Sequence, residues 1–305
     1  MRQWHDRVSM NLRHLRAFAT IADAGSFGRA ADRLFLSQPA LSRQIQALEA
    51  EIGMPLFDRT GRQVRLTAEG EDLLRHGRRL LADLDALAER ARALRGGEAG
   101  ILRVGATPQV IENLLAGFLL RYRQCCPNVE FHLVEDGGAR LPSRLEQGDV
   151  HLAIMPAVDP ALPGRLLYPM HLMAVAASTH PLRNLGPLDI TALSDHALLL
   201  LHRAFASRLW FEEACHHAHL RPQVLLESAA PHTLIALAAA SYGVAIVPSP
   251  VSIQQPGMLA RPLVSRDASI GRWTSIAWHP ERFLAPYAER FVDEIVAHVE
   301  HRFPG

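Results

Sequence analysis

The run most suggestive of chemistry in this 305-residue chain is Cys215-His216-His217-Ala218-His219, in which Cys215 and His219 stand four apart, as two zinc ligands on one helix face would. No carboxylate or further ligand is placed with it, and 16 histidines make such clustering easy to reach by chance, so no metal is expected. Serine, histidine and aspartate are plentiful, but no Gly-x-Ser-x-Gly elbow leads into a helix and no phosphate-binding loop occurs. Neither a catalytic residue nor a cofactor is expected, which leaves binding as the chemistry to look for.

Ser37-Gln38-Pro39 offers it first. A serine followed by an early proline opens a helix, because the missing N–H of proline costs nothing in the first turn. Leu41, Ile45, Leu48 and Ile52 then recur at spacings of four, three and four and bury one stripe, leaving Ser37, Gln38, Ser42, Arg43 and Gln46 on the opposite face. Free N–H groups in the first turn suit phosphate, and glutamine and arginine suit base edges, so Gln38 and Arg43 are the expected readers of a DNA major groove. Such a face could equally be solvated; its surroundings argue otherwise. Leu12, Leu15, Phe18, Ala19 and Ala22 share a face of an earlier helix, which Asp23-Ala24-Gly25 ends, and Ser26 is placed to cap a second helix with Phe27, Ala30, Ala31 and Leu34 inward. The alanine pair permits the close approach of a helix-turn-helix. A hairpin with a turn glycine follows, in which Arg59, Arg62 and Arg65 can straddle phosphates as a wing does.

The net charge of +1 argues against a polyanionic partner only until it is divided. Residues 1–67 hold ten arginines against six acids, residues 68–97 hold six against six, and residues 98–305 hold 16 against 19. All 32 basic residues are arginine. A basic N-terminal region and a mildly acidic remainder imply different partners for the two. The three cysteines, two of them adjacent, make no disulfide framework and are expected to be buried thiols. No apolar run approaches the ~20 residues of a membrane span, and the N-terminus lacks the apolar stretch of a signal peptide. A cytoplasmic protein with no membrane partner is expected.

After Thr67, a plausible cap, Leu73, Gly77, Leu80, Leu84, Leu87, Ala91 and Leu94 alternate spacings of four and three, a seam of 3.5-residue period that predicts a long helix with a partner along it. Gly96-Gly97 ends it. From residue 100 apolar segments at 101–106, 130–134, 150–155, 173–177, 224–226, 244–247 and 273–278 are separated by helical stretches, which predicts an α/β architecture with largely parallel strands. Ligands of such sheets sit at the carboxyl ends of strands.

Ser26-Phe27, Ala30-Ala31, Leu34, the run Ser37-Gln38-Pro39-Ala40-Leu41-Ser42-Arg43-Gln44-Ile45, Leu48-Glu49, Gly53-Met54-Pro55-Leu56-Phe57-Asp58-Arg59 and Leu66-Thr67-Ala68-Glu69-Gly70 follow one another over about sixty residues, and together they resemble the DNA-binding domain of LysR-type transcriptional regulators. The resemblance implies an α/β protein with an all-α N-terminal part: a winged helix-turn-helix at 1–67, with 1–9 either an extension before Met10 or the product of a misassigned start, a linker and dimerisation helix at 68–97, and at 98–305 an effector domain like type 2 periplasmic binding proteins. That fold implies subdomains at about 100–172 with 273–305, and at 173–272. It also implies a homodimer or homotetramer on an interrupted palindromic operator, RNA polymerase as a further partner, and a small effector, commonly a carboxylate, between the subdomains.

Mapped onto that pattern, Thr107, Pro108 and Gln109 follow the first strand and open a helix, where the Thr107 hydroxyl and Gln109 N–H could hold an anion or merely cap the helix. Gly137 and Gly138 are expected to leave room beside it. Across the cleft His202, Arg203 and Phe205 follow a strand, Arg203 facing either a second carboxylate or a salt-bridge partner; Ser228, His232 and Thr233 stand at another helix start. The sequence thus implies an effector-controlled transcriptional regulator. A ligand-independent architectural DNA-binding protein is the alternative, and it would have an occluded cleft.

Overall fold

The computed structural model describes residues 11–58, 64–93, 99–157, 162–184, 186–249, 251–253 and 255–302. The chain divides into one unit of residues 1–92 with 146–149 and a second of 93–145 with 150–305.

The first unit consists of α1 (Leu12–Ala24), α2 (Phe27–Arg33), α3 (Gln38–Ile52), a two-stranded hairpin of β1 (Phe57–Asp58) and β2 (Arg65–Leu66), and α4 (Ala68–Ala93). Gly25 and Gly53 end α1 and α3 with φ of 60° and 82°, a left-handed conformation that glycine adopts without steric cost. Leu15, Phe18, Ile21, Ala30, Ala31, Leu41, Ile45 and Leu48 are all buried, and the Phe57 ring stands edge-on to Phe18 with centroids 5.4 Å apart. Thr67 Oγ1 accepts from Gly70 N at 2.9 Å, so α4 is capped where expected. Its seam is divided in use. Gly77 does not face a partner helix: a β-carbon there would lie 2.8 Å from the Leu15 side chain, so Gly77 serves the packing of α4 on α1. Leu80 and Leu87, seven apart, remain 56% and 64% exposed.

The second unit begins with β3 (Gly100–Ala106), α5 (Pro108–Val110), a π-turn (Ile111–Leu115), α6 (Ala116–Cys125), β4 (Val129–Glu135), α7 (Leu141–Gln147), β5 (Leu152–Pro156) and the long β6 (Gly164–Ala177). There follow β7 (Leu188–Asp189), β8 (Ala197–Leu201), α8 (Ala206–His217), β9 (Gln223–Ser228), α9 (Pro231–Ala239), β10 (Val244–Pro248), β11 (Met258–Ser265), β12 (Ala268–Ser269), β13 (Gly271–Trp278) and α10 (Pro286–Arg302). The strands run in the order β4-β3-β5-β13-β6-β10-β8-β9. Parallel pairing joins β3 to β4 and β5, and β8 to β9 and β10, as the alternation of strands and helices implies. Strand β6 instead pairs antiparallel with β10, β11 and β13, and β13 with β5, making the sheet mixed, while β11 also pairs parallel with β7. The antiparallel pairs break the parallel rule because β6 and β13 carry the chain between lobes rather than through a helical crossover.

Residues 164–171 of β6 pair with β13 and residues 172–177 with β10 and β11, so one strand serves two lobes. In the first lobe Phe118 of α6 and Phe291 of α10 pack over β3 and β5, while Leu141 and Leu145 of α7 cover the other face. In the second lobe α8 covers one face of the sheet with Trp210, Phe211 and Cys215, and α9 covers the other with Leu234, Ile235 and Ala238. Strands sandwiched in this way are buried on both faces, as β5 and β10 are along their whole length. Of the cysteines, Cys126 and Cys215 are buried, but Cys125 is exposed, because the last turn of α6 points it away from the core.

Gly70 tests the packing of the first unit. A β-carbon there would lie 2.2 Å from the Leu56 carbonyl oxygen, a backbone atom that cannot swing aside. Alanine in a helix otherwise gains about 1 kcal/mol over glycine; here Gly70→Ala should instead destabilise the unit by about 1–3 kcal/mol. A urea melt showing equal or greater stability would refute this packing.

Candidate nucleic-acid interface and effector cleft

The polar face of α3 is positioned from below. With Leu41, Ile45 and Leu48 fully buried, rotation of the helix is fixed, and Ser37, Gln38, Pro39, Arg43 and Gln46 are exposed while Ser42 is half-buried. Ser37 caps the helix, its Oγ accepting from Ala40 N at 3.4 Å. Ser26 occupies the corresponding position of α2 but makes no capping bond with its side chain. Its Oγ and Gln38 Oε1 instead flank Gly28, 3.8 and 3.9 Å from where a β-carbon would stand. Ser26 and Gln38 are thereby brought together at the junction of α2 and α3.

The wing is partly visible. Phe57 pairs with Leu66 and Asp58 with Arg65, whose side chain is exposed; Arg59 and Arg62 lie outside the described residues. Glu49 is not singled out by the charge pattern, yet its Oε1 accepts from Leu56 N at 2.9 Å and Phe57 N at 3.3 Å, tying the wing strand to α3. Phe35 is also more than a turn residue: with φ of 54° its ring is 96% exposed, two positions before the cap of α3. An aromatic in a short turn beside a polar helix start is the available signal.

In the second unit the expected effector residues separate. Thr107 caps α5, its Oγ1 accepting from Val110 N at 3.5 Å, with the half-buried Pro108 in the first turn. Gln109 is 4% exposed, and its Nε2 has no partner among the described residues. Gly138 lies close to Thr107: its β-carbon position is 3.6 Å from Thr107 Cγ2 and 3.6 Å from Ala206 Cβ of the other lobe. Gly137 does not leave room, because the space its side chain would take is filled by the Ala204 carbonyl oxygen, 2.2 Å away, and Ala139 N reaches that oxygen at 3.4 Å. Asp136 holds this loop, accepting from Gly137 N at 2.8 Å and from Arg144 Nε at 3.0 Å.

The 202–205 segment departs furthest from expectation. Arg203 does not reach for a second carboxylate in the cleft: its Nε donates to Glu212 at 3.0 Å on its own lobe. The Phe205 ring is not in the cleft either but packs with Leu201 and Leu234 in the core. His202 is exposed, its N–H donating to Ser228 O at 3.2 Å. The arginine that organises this region is Arg208, only 7% exposed, which donates to Leu201 O, Glu212 and Glu227 at 2.8–2.9 Å. Ser228 Oγ is taken up by its own turn, accepting from Ala230 N at 3.1 Å, and Thr233 is exposed on α9. His232 alone among these three reaches the other lobe, meeting Glu112 at 2.9 Å. The Cys215 and His219 pairing has no basis in the geometry: Cys215 faces the core, and α8 ends at His217, so His219, with φ of 53°, has left the helix.

Residues 12–71 match the model for the bacterial regulatory helix-turn-helix protein, lysR family, and residues 95–300 match the LysR substrate binding domain. The chain belongs to the LysR family. It is a DNA-binding transcriptional regulator with a substrate-binding domain, and not an enzyme. Among LysR-type relatives, the transcriptional regulator IlvR of Caulobacter vibrioides is 36% identical over 246 residues, 79% of this chain and 83% of that one. A full-length OxyR variant of Pseudomonas aeruginosa superposes with a TM-score of 0.69 at 25% identity, covering 96% of this chain and 95% of that one. Full-length CbnR, solved in complex with its target DNA, gives a TM-score of 0.65 at 25% identity, covering 95% of this chain and all of CbnR. No helix among the described residues is long and apolar enough to cross a membrane.

Contact between the lobes of this LysR-type effector domain depends on Gly137 having no side chain. Gly137→Ala should force residues 136–139 away from 202–206 while leaving both lobe cores folded. Hydrogen exchange should then quicken at both segments and nowhere else; unchanged exchange would refute the close approach.

Proposed function

We propose that this LysR-family protein reads an interrupted palindromic operator as a homodimer or homotetramer and switches transcription when a small anionic metabolite settles between the lobes of its effector domain. In this reading residues 1–67 bind DNA, residues 68–97 dimerise, and 98–305 sense the effector. Its lobes are residues 100–172 with 273–305, and 173–272. Gln38, Arg43 and Gln46 read bases, Arg43 with the forked donors that suit guanine. Ser26, Ser37, Pro39, Ser42 and the wing arginines Arg59, Arg62 and Arg65 hold the backbone. The DNA bound to CbnR supports this assignment for a relative of similar fold. Exposed Leu80 and Leu87, one heptad apart on α4, support a helix partner. RNA polymerase is the partner through which bound DNA would become promoter control, and the cytoplasm is where the protein would meet it.

The observation that carries the anionic effector is Gln109. A buried N–H donor without an acceptor costs about 1–3 kcal/mol, and a ligand carboxylate oxygen would relieve that cost. Thr107 stands two residues away with a hydroxyl proton still available to donate, and Gly138 and Ala206 bring both lobes to the same place. An architectural protein without a ligand would have an occluded cleft; a cavity lined from both lobes favours effector control instead.

Two measurements separate these roles. Arg43→Ala should cost about 1–3 kcal/mol on a cognate operator and narrow its margin over altered sequences, whereas Arg65→Ala should weaken every DNA and reduce the salt slope by about one. Equal behaviour of the two variants would undo the assignment. In a thermal-shift screen of small carboxylates, amino acids and aromatic acids, a carboxylate should raise the melting temperature, and Gln109→Leu should abolish that rise. A rise that survives Gln109→Leu, or no carboxylate acting at all, would refute the anion site.

A further inference from the structure

Helices α1 and α3 end on glycines in the left-handed conformation, but α2 ends in that conformation without one. Leu36 N donates to Ala31 O at 2.9 Å and Phe35 N donates to Asp32 O at 3.2 Å. This pair of bonds closes a helix when the residue between Leu34 and Leu36 takes a positive φ, a place glycine usually fills. Here Phe35 fills it, at φ 54°. The other non-glycine residues with positive φ among those described are His219, Ser241, Arg266 and Asp267, all of them polar. A bulky aromatic is an outlier in this region, because its β-carbon crowds the backbone and it has no short polar group to bond locally in compensation.

The fold does not need the ring. It is almost wholly exposed, so it adds next to no packing to the core of the unit. A side chain that strains its backbone while packing on nothing points to a role outside the unit. Its place says what it meets. Residues 12–71 form a DNA-binding domain, and Phe35 stands three residues before Gln38, so their Cα atoms are at most about 11 Å apart. A major groove is about 12 Å wide. With the start of α3 seated in the groove, the Phe35 ring lies at the groove wall. Leu36, partly exposed, and Pro39, exposed in the first turn of α3, continue the apolar surface toward the groove. A phenyl ring has no charge for a phosphate and no donor for a base edge. What it can cover are the C5 methyl groups of thymine, which project into the major groove, and the carbon face of the deoxyribose beside them.

We infer that Phe35 is an apolar DNA contact, its ring packing on a thymine methyl or the adjoining deoxyribose and adding affinity that does not depend on salt. The inference rests on the reading of α3 as the helix that enters the groove, but it uses none of the residues assigned to bases or phosphates there. An apolar contact releases no counterion, which separates it from the arginine contacts of the wing.

The full-length protein and a duplex that it selects from a random-sequence pool test this contact. Phe35→Asn should leave the melting temperature unchanged or raise it, because asparagine accepts a left-handed backbone and no packing is lost. The same variant should bind the duplex about tenfold more weakly, as expected when a ring-sized apolar surface stays in water. Its salt slope should match that of the native protein, in contrast to Arg65→Ala. Phe35→Trp should hold affinity within threefold of native. Deoxyuridine in place of thymidine, one position at a time, separates the two apolar surfaces: a loss of affinity that disappears in Phe35→Asn places the ring on that methyl, and any other pattern places it on the sugar. A lower melting temperature for Phe35→Asn would show that the ring serves the fold, a reduced salt slope would show an electrostatic effect, and affinity within twofold of native would leave the ring to a protein partner; each of these overturns the proposal. If Arg43→Ala keeps its sequence discrimination while Phe35→Asn still loses tenfold, the assignment of Arg43 fails and the Phe35 contact stands.

Discussion

Strand β6 must satisfy two sheets at once. Every backbone N–H and C=O buried in a sheet needs a partner, and β6 finds its partners on β13 up to His171 and on β10 and β11 from Leu172 onward. The two lobes are therefore joined through a continuous strand rather than a loose linker, and β13 begins beside the same point, at Gly271 opposite His171. A hinge built from paired strands confines the relative motion of the lobes to bending. Thr107, Gln109 and Glu112 on one side and Ala204, Ala206 and His232 on the other then meet at fixed register.

The first unit solves a different problem with a similar economy of means. The polar face of α3 has no structure of its own to hold it; it is presented because Leu41, Ile45 and Leu48 on the reverse are immobile in the core. Glu49 extends that control to the wing by accepting two strand N–H groups. Removing its carboxylate would leave those donors to find water, and the wing would lose its register to the helix. Gly77 on α4 does comparable work for packing, since only a residue without a side chain lets Leu15 approach that far.

Legibility from sequence follows the range of the interactions involved. The helices of the first unit, the cap at Thr67 and the polar face of α3 are readable because each depends on residues within a turn or two of one another. The cleft is not readable to the same degree. Arg203 and Arg208 stand five apart with the same side chain, and nothing local says that Arg208 is buried against Leu201 and Glu227 while Arg203 shares Glu212 in solvent. Gly137 suggests open space because a glycine reads the same whether it leaves a gap or receives the carbonyl group of Ala204 from the other lobe. Glu112 leaves no trace at all, since a regular helix and a π-turn share one apolar pattern, and only the pairing with His232 across 120 residues gives it significance.

The contacts between the lobes are weak individually, and that weakness suits a switch. The Glu112–His232 pair is half exposed on both sides, and exposed ion pairs contribute about 0–1 kcal/mol. The Ala139–Ala204 bond is long at 3.4 Å, and Gly137 contributes fit rather than a bond. Against such a small total, a ligand that favours one arrangement of the lobes by about 1.4 kcal/mol shifts their equilibrium tenfold, whereas tight binding to both arrangements would shift nothing. A stronger latch, such as a buried arginine–carboxylate pair in place of Glu112 and His232, would raise the differential affinity an effector must supply. The strong pairing is placed instead inside one lobe, where Arg208 fastens α8 to β8 and β9. Under the proposed effector control, rigid lobes joined by a weak contact would convert a small difference in ligand affinity into motion at the hinge rather than deformation within a lobe.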